Sequence, residues 1–157
     1  MIAKIVSGGQ AGADRAALDW ALTRGVAVGG WCPKGRLAED GPIPLSYPLV
    51  EAASADYLVR TRLNVRDSDG TLIVTSGASL TRGSLRTRGF ATDLGRPCLH
   101  VQMFADPAHA ADAVRNFCAV HGIRVLNVAG SRASKAPKIS GFVIALLEAA
   151  FPSPPAS

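Results

Sequence analysis

Cysteine is scarce: Cys32, Cys98 and Cys118 are three in number and none lies in a C-x-x-C, so they offer neither a disulfide framework nor a zinc clasp. Histidine is as thin, and His100, His109 and His121 fall in no nucleophile or metal motif, so each reads as structural. No apolar run approaches the length of a membrane span, and no charged stretch with a long apolar segment precedes the first strand. These absences predict a soluble, unprocessed protein of the reducing cytoplasm, with no membrane partner. Aromatic residues make up 6% of the chain and there is no dense basic run, which counts against a stacking platform for nucleic acid.

What is present points to one compact domain. The chain has 157 residues, 48% of them hydrophobic, enough for a sizeable core. Residues 1–150 read as a single ligand-binding domain, and the proline-rich segment 151–157 as a frayed tail. A net charge of +5 and a pI near 9.6, with arginine far outnumbering lysine, imply an anionic partner. A small phosphate-bearing or oxyanion ligand fits this balance at least as well as a nucleic acid.

Hydrophobic runs and helical stretches alternate along the chain. Strands are predicted over Ile2–Val6, Val26–Trp31, Thr71–Val74, Pro97–Val101 and Ile123–Ala129, with Thr71–Val74 central because it is apolar on both faces. Helices are predicted over Arg15–Leu22, Ser54–Asp67, Leu85–Leu94, Ala108–His121 and Ile139–Ala150. Gly25, Gly95 and Gly122 supply stops, and Asp106-Pro107 supplies a cap and first turn. This order predicts an α/β, Rossmann-like three-layer fold, a mostly parallel central sheet flanked by helices.

Three small-residue loops then fall at the carboxyl ends of strands, where open α/β sheets gather ligands. The first, Ser7-Gly8-Gly9-Gln10-Ala11-Gly12-Ala13-Asp14, joins a strand to a helix start, an arrangement that favours anions; a tight βα turn asks for the same glycines. The second is Thr75–Ser84 and the third Gly130–Pro137. Between the first and second lies Cys32–Pro44, rich in proline, glycine and charge, which reads as an ordered loop with no regular element. Asp14 reads as the cap of the first helix, and Arg15 as a ligand contact or a solvent or interface residue. Arg60, Thr61 and Asn64 share a helical face that suits a site wall or a subunit interface equally. Asp67 and Asp69 read as turn formers ahead of metal ligands, and Cys32 as packing ahead of nucleophile or metal ligand.

Four segments carry a resemblance: Ser7-Gly8-Gly9-Gln10-x-Gly12-x-Asp14 with Arg15–Ala21, Gly30-Trp31-Cys32-Pro33-Lys34-Gly35-Arg36 through Pro44, Tyr57 through Thr71, and Leu126-Asn127-Val128-Ala129-Gly130. Together they resemble the molybdenum carrier family, which includes the molybdenum cofactor carrier proteins of green algae. That family shares a Rossmann-like superfamily with lysine-decarboxylase-like phosphoribohydrolases and DNA-processing proteins. The resemblance implies a non-catalytic carrier that holds molybdenum cofactor as cargo, protects it from water and oxygen, and passes it among cofactor biosynthesis proteins or molybdoenzymes. It also implies a homo-oligomer, a tetramer.

A ligand of this kind needs anion donors at two points and a flat polar slot between them. Gly8, Gly9, Gln10 and Gly12 take one anionic end on this reading, with Lys34 and Arg36 as cations closing over it. The second loop contributes Ser76, Gly77, Arg82, Gly83 and Ser84. Arg82 stands where the family pattern has glycine and brings a guanidinium in exchange. Phosphoribohydrolase relatives rely on a glutamate a few residues into the following helix, and Gly83–Arg88 holds no carboxylate. An enzyme or sensor acting on a nucleotide-derived ligand is therefore the second reading, and a single-stranded nucleic acid binder the third.

Overall fold

A computed structural model describes residues 1–103 and 106–155. Its centre is a five-stranded sheet in the order β2-β1-β9-β7-β8. The strands are β1 (Lys4–Val6), β2 (Ala27–Gly29), β7 (Gly70–Thr75), β8 (Cys98–Gln102) and β9 (Val125–Gly130). All four pairings are parallel, with Ile5 opposite Val28 and Leu126, and Ile73 opposite Ala129 and His100. Helices α1 (Ala13–Arg24), α2 (Tyr57–Arg66), α3 (Arg82–Asp93), α4 (Pro107–His121) and α5 (Ile139–Ala150) connect or flank them.

The direction of each crossover decides the layers. β1 to β2 and β8 to β9 step one way along the sheet, and β7 to β8 steps the other. Right-handed connections therefore put α1 and α4 on one face and α3 on the other. Accordingly α5 packs between α1 and α4, while α2 packs on α3. Leu72 and Val74 join the core shared with α1, α4 and α5, and Ile73 between them turns to the α2–α3 side. Every residue of β7 is buried, as its unbroken apolar run predicts for an interior strand. β9 lies at the centre beside it.

Three local readings are corrected. Val26–Trp31 is two strands, because Gly30 turns the chain at φ 128° with its Cα against the Ser7 backbone. Beyond that break β3 (Trp31–Cys32) leaves the main sheet and pairs with β6 (Val50–Glu51). Cys32–Pro44 does hold regular structure, a two-stranded ribbon of β4 (Leu37–Ala38) and β5 (Gly41–Pro42). Finally, α3 starts at Arg82 rather than Leu85, since Thr81 accepts from the Ser84 N–H at 3.1 Å and caps it there.

The tail reading is corrected at its first residue: Phe151 is half-buried against Trp20, ring centroids 6.0 Å apart, and its carbonyl accepts from Arg24 at 2.9 Å. Ala156 and Ser157 at its end lie outside the described residues. Among the described residues no helix is long and apolar enough to cross a membrane.

Candidate functional site

At the carboxyl ends of β1 and β9 the chain opens a cleft of about 550 Å³. Helices α2 and α3 both begin there and run side by side, and past the end of α3 the Arg96 guanidinium donates to the Arg66 carbonyl at the end of α2. Asp56 caps α2 through the Leu58 N–H and Thr81 caps α3, so both positive helix ends face the same space. Across from them stand Gly8 and Gln10 of the first loop and residues 127–132 of β9 and the third loop. Among the described residues the lining carries five cations, Arg60, Arg82, Arg86, Arg132 and Lys135, against two carboxylates, Asp14 and Asp56. With Asp56 spent on its cap, the field in the cleft favours anions.

Arg60 is the central cation. Its side chain is only 11% exposed, and Nη1 donates to Asp14 Oδ2 at 3.3 Å, a long contact for a charged pair. Its Nε is buried and finds no partner among the described residues. The guanidinium lies so close to Gly8 that a Cβ there would sit 1.7 Å from Nη1. Gly8 is thus small to admit Arg60 rather than a ligand. The guanidinium carbons of Arg60 and Arg132 lie 5.5 Å and 5.2 Å from the centroid of the Tyr57 ring, whose flat side chain lines the cleft beside them. Gln10 is 6% exposed; its Oε1 accepts the N–H groups of Ala11 and Glu39, which fixes the amide's orientation and leaves Nε2 without a partner among the described residues.

Of the predicted ligand residues, Gly8, Gln10, Arg82, Gly83 and Ser84 line this cleft. The others do not. Gly9 faces Leu49 and Ile43, and Gly12, at φ 116°, presses on the Ser131 and Ala133 backbone. Ser76 donates its N–H to Ser131 Oγ, and the Gly77 carbonyl accepts from the Thr75 hydroxyl. Lys34 is exposed outside the lining. Arg36 is not a closing cation, because its guanidinium donates to the carbonyls of Ile43, Pro44, Tyr47 and Leu49. It staples the 33–52 segment from a left-handed backbone position at φ 54°. Replacing it, Arg36→Ala, is expected to cost about 2 kcal/mol of stability from the lost charged hydrogen bonds. A denaturant titration checks this, and an unchanged midpoint would refute the staple.

The remaining candidates sort by their partners. Asp14 does not cap α1; Gly12 holds the N-cap position, and Asp14 sits in the first turn, accepting from the Gln10 N–H and from Arg60. Arg15 pins the ribbon to α1 through Asp40 and the Gly9 carbonyl, and holds the Asp40 carboxyl below its ordinary range. Burial and its bond to Asp19 push the Tyr47 hydroxyl up to about 12, so it stays a neutral donor to α1. Asn64 is committed to the Trp31 backbone by both its side-chain atoms. Asp69 accepts the Val125 and Arg124 N–H groups at the amino end of the sheet, which lowers its carboxyl. Cys32 is fully buried in the core, and burial raises its thiol, which disfavours the thiolate a metal or an electrophile would need. His100 meets Thr75 Oγ1 at 2.6 Å on the edge strand, and burial lowers its titration.

The chain's residues 5–151 match the model of the circularly permutated YpsA SLOG family. The chain belongs to that family. Among solved structures this SLOG chain is similar to the 1.45 Å crystal structure of a Syntrophus aciditrophicus SB protein named "putative molybdenum carrier protein". The two are 48% identical, with a TM-score of 0.93, over 96% of this chain and 95% of that one. No curated protein matches. Family and neighbour agree with the molybdenum carrier resemblance and with the α/β parallel-sheet fold.

Sequence reasoning left Arg86, Arg132 and Lys135 unnamed as site residues. For Arg132 and Lys135 a signal existed, since both sit in the third loop, already a predicted wall. Arg86 follows from Thr81: a hydroxyl cap three residues before Ser84 starts α3 early enough to bring a second arginine, one turn on, into the lining.

Proposed function

We propose that this chain is a non-catalytic carrier whose cargo is molybdenum cofactor, a phosphate-bearing pterin, held in the cleft between the starts of α2 and α3. The observation that carries this is Arg60: a guanidinium brought in against Gly8, nearly buried, with donor capacity unspent between two helix N-termini. A buried, under-used guanidinium is costly without an anion to meet it. On this reading Arg60 and the α3 entry at Gly83 and Ser84 receive one anionic end, Arg132 and Lys135 the other, and Tyr57 the ring system between. The cleft volume is ordinary for a ligand of that size. The name of the 48% identical neighbour supports the same cargo.

The carrier reading is favoured over an enzymatic one by the state of the carboxylates. In the ligand-free cleft Asp14 accepts from Arg60 and the Gln10 N–H, and Asp56 caps its own helix, so neither of the two lining carboxylates stands free as a general base. A nucleotide-derived ligand is the second reading; the flat Tyr57 ring in the cleft wall would receive a base equally well. The proposal takes the carrier to be cytoplasmic and homo-oligomeric, with Val59 on α2 and Ile144 on α5 as exposed apolar side chains available for self-contact.

Purification from cells that make molybdenum cofactor, followed by assay of molybdenum and oxidised pterin, tests the cargo. Stoichiometric pterin is the expected result. A co-purifying nucleotide with slow release of free base would replace the carrier with an enzyme.

A further inference from the structure

We propose that Asp14 is a specificity-determining residue of the cleft: it occupies Arg60 as an internal anion, and an incoming oxyanion takes its place at the guanidinium while Asp14 gains a proton from solvent. The inference rests on the reading of the cleft as an anion site, and adds to it a competitor and a proton.

The geometry is that of a pair built to open. Asp14 is 5% exposed, in the first turn of α1, and its Oδ2 accepts both from the Gln10 N–H and from Arg60 Nη1 at 3.3 Å. Neither bond reaches the length of a tight charge-assisted contact. Arg60 Nε is in addition left without a partner among the described residues. The charged groups that share the cleft with Asp14 are Asp56 and Arg60 at the start of α2, Arg82 and Arg86 of α3, and Arg132 and Lys135 of the third loop, and of these Arg60 and Arg132 act on its carboxyl. Burial raises the Asp14 carboxyl; Arg60 first, then the Gln10 N–H, and Arg132 last act against it.

An oxyanion at Arg60 takes away the larger of those two cationic contributions and puts a second negative charge beside a buried carboxylate. Two like charges at one guanidinium do not both stay ionised in such a place. The carboxyl therefore binds one proton for each oxyanion taken up, and no covalent bond changes. By linkage, affinity is highest where Asp14 is already protonated and falls as pH rises, by up to about tenfold per pH unit for one proton. Removing the carboxylate removes both the competitor and the slope.

The experiment uses sulfate, whose charge is constant across the range, titrated calorimetrically into the intact wild-type chain and into Asp14→Asn from about pH 5 to about pH 9, with melting curves of both proteins as the folding control. Asparagine keeps the acceptor for the Gln10 N–H. The expected result is wild-type affinity that declines with pH, and an Asp14→Asn chain that binds about tenfold more tightly at the alkaline end with a flat profile. In two buffers of different ionisation enthalpy, the wild type alone should take up a proton on binding, a readout that does not depend on the variant folding. Equal affinities and no proton uptake would leave the anion site standing and overturn the competitor. Weaker binding by a folded Asp14→Asn at every pH would make Asp14 a support of the site and overturn it too. Failure of both proteins to bind sulfate at any pH would overturn the anion site itself, and this inference with it.

Discussion

Gly8→Ala is expected to leave the chain folded and to weaken anion binding in the cleft at least roughly tenfold. The alanine Cβ would fall 1.7 Å from Arg60 Nη1 and 2.6 Å from its Cζ, so the guanidinium must leave. What it meets is the free end of a flexible side chain, and Gly8 is not among the positive-φ glycines, so neither backbone nor core resists the change. The functional cost is a charge-assisted contact worth about 1.5 to 3 kcal/mol, a loss of roughly tenfold to over a hundredfold in affinity. Sulfate titration beside a thermal melt checks both halves. Unaltered affinity in the variant would remove Arg60 from the site, and a large fall in melting temperature would make Gly8 a structural glycine.

Gly130→Ala is expected to do the reverse, and to act on the fold. Gly130 ends β9 at φ 155°, opposite Val74, and its Cβ would lie 1.8 Å from the Val74 carbonyl oxygen and 3.0 Å from the Ala13 Cβ. These neighbours are the backbone of the most deeply buried strand and the first residue of α1, neither of which can yield. A clash of this kind, together with an unfavourable dihedral, belongs to the rare class of substitutions costing about 4 kcal/mol or more. Denaturant unfolding or loss of soluble expression reads it directly. A variant within about 1 kcal/mol of wild type would mean that β9 and β7 can separate at this end.

The difference between these two glycines shows what could be read from the chain and what could not. The sheet was legible because its signals are local. The apolar run Leu72–Val74, hydrophobic on both faces, marks an interior strand, and Gly25 and Gly122 stop their helices in the left-handed conformation, at φ 68° and 62°. Asp106 and Pro107 open α4 as their types dictate. That three small-residue loops gather near one sheet edge also follows from strand–helix alternation alone.

The roles of individual arginines were not legible, because each depends on contacts distant in sequence. Arg36, in a constrained cationic loop, looked the better anion ligand, yet its guanidinium is consumed by four carbonyls up to 13 residues away. Arg60 looked evenly balanced between site and interface, and its role comes from Gly8 and Asp14, more than forty residues earlier. Gly12 and Gly9 similarly resembled ligand glycines, while their small size serves packing against the third loop and against Ile43 and Leu49.

The central claim, a cargo held at Arg60 between two helix starts, is tested most directly by the pterin and molybdenum content of three proteins purified side by side from cofactor-making cells: wild type, Gly8→Ala and Lys34→Ala. Stoichiometric pterin in the wild type and in Lys34→Ala, with little in a folded Gly8→Ala, is the predicted result. Pterin retained by Gly8→Ala and lost from Lys34→Ala would contradict it, and would move the site from the cleft to the 33–52 segment.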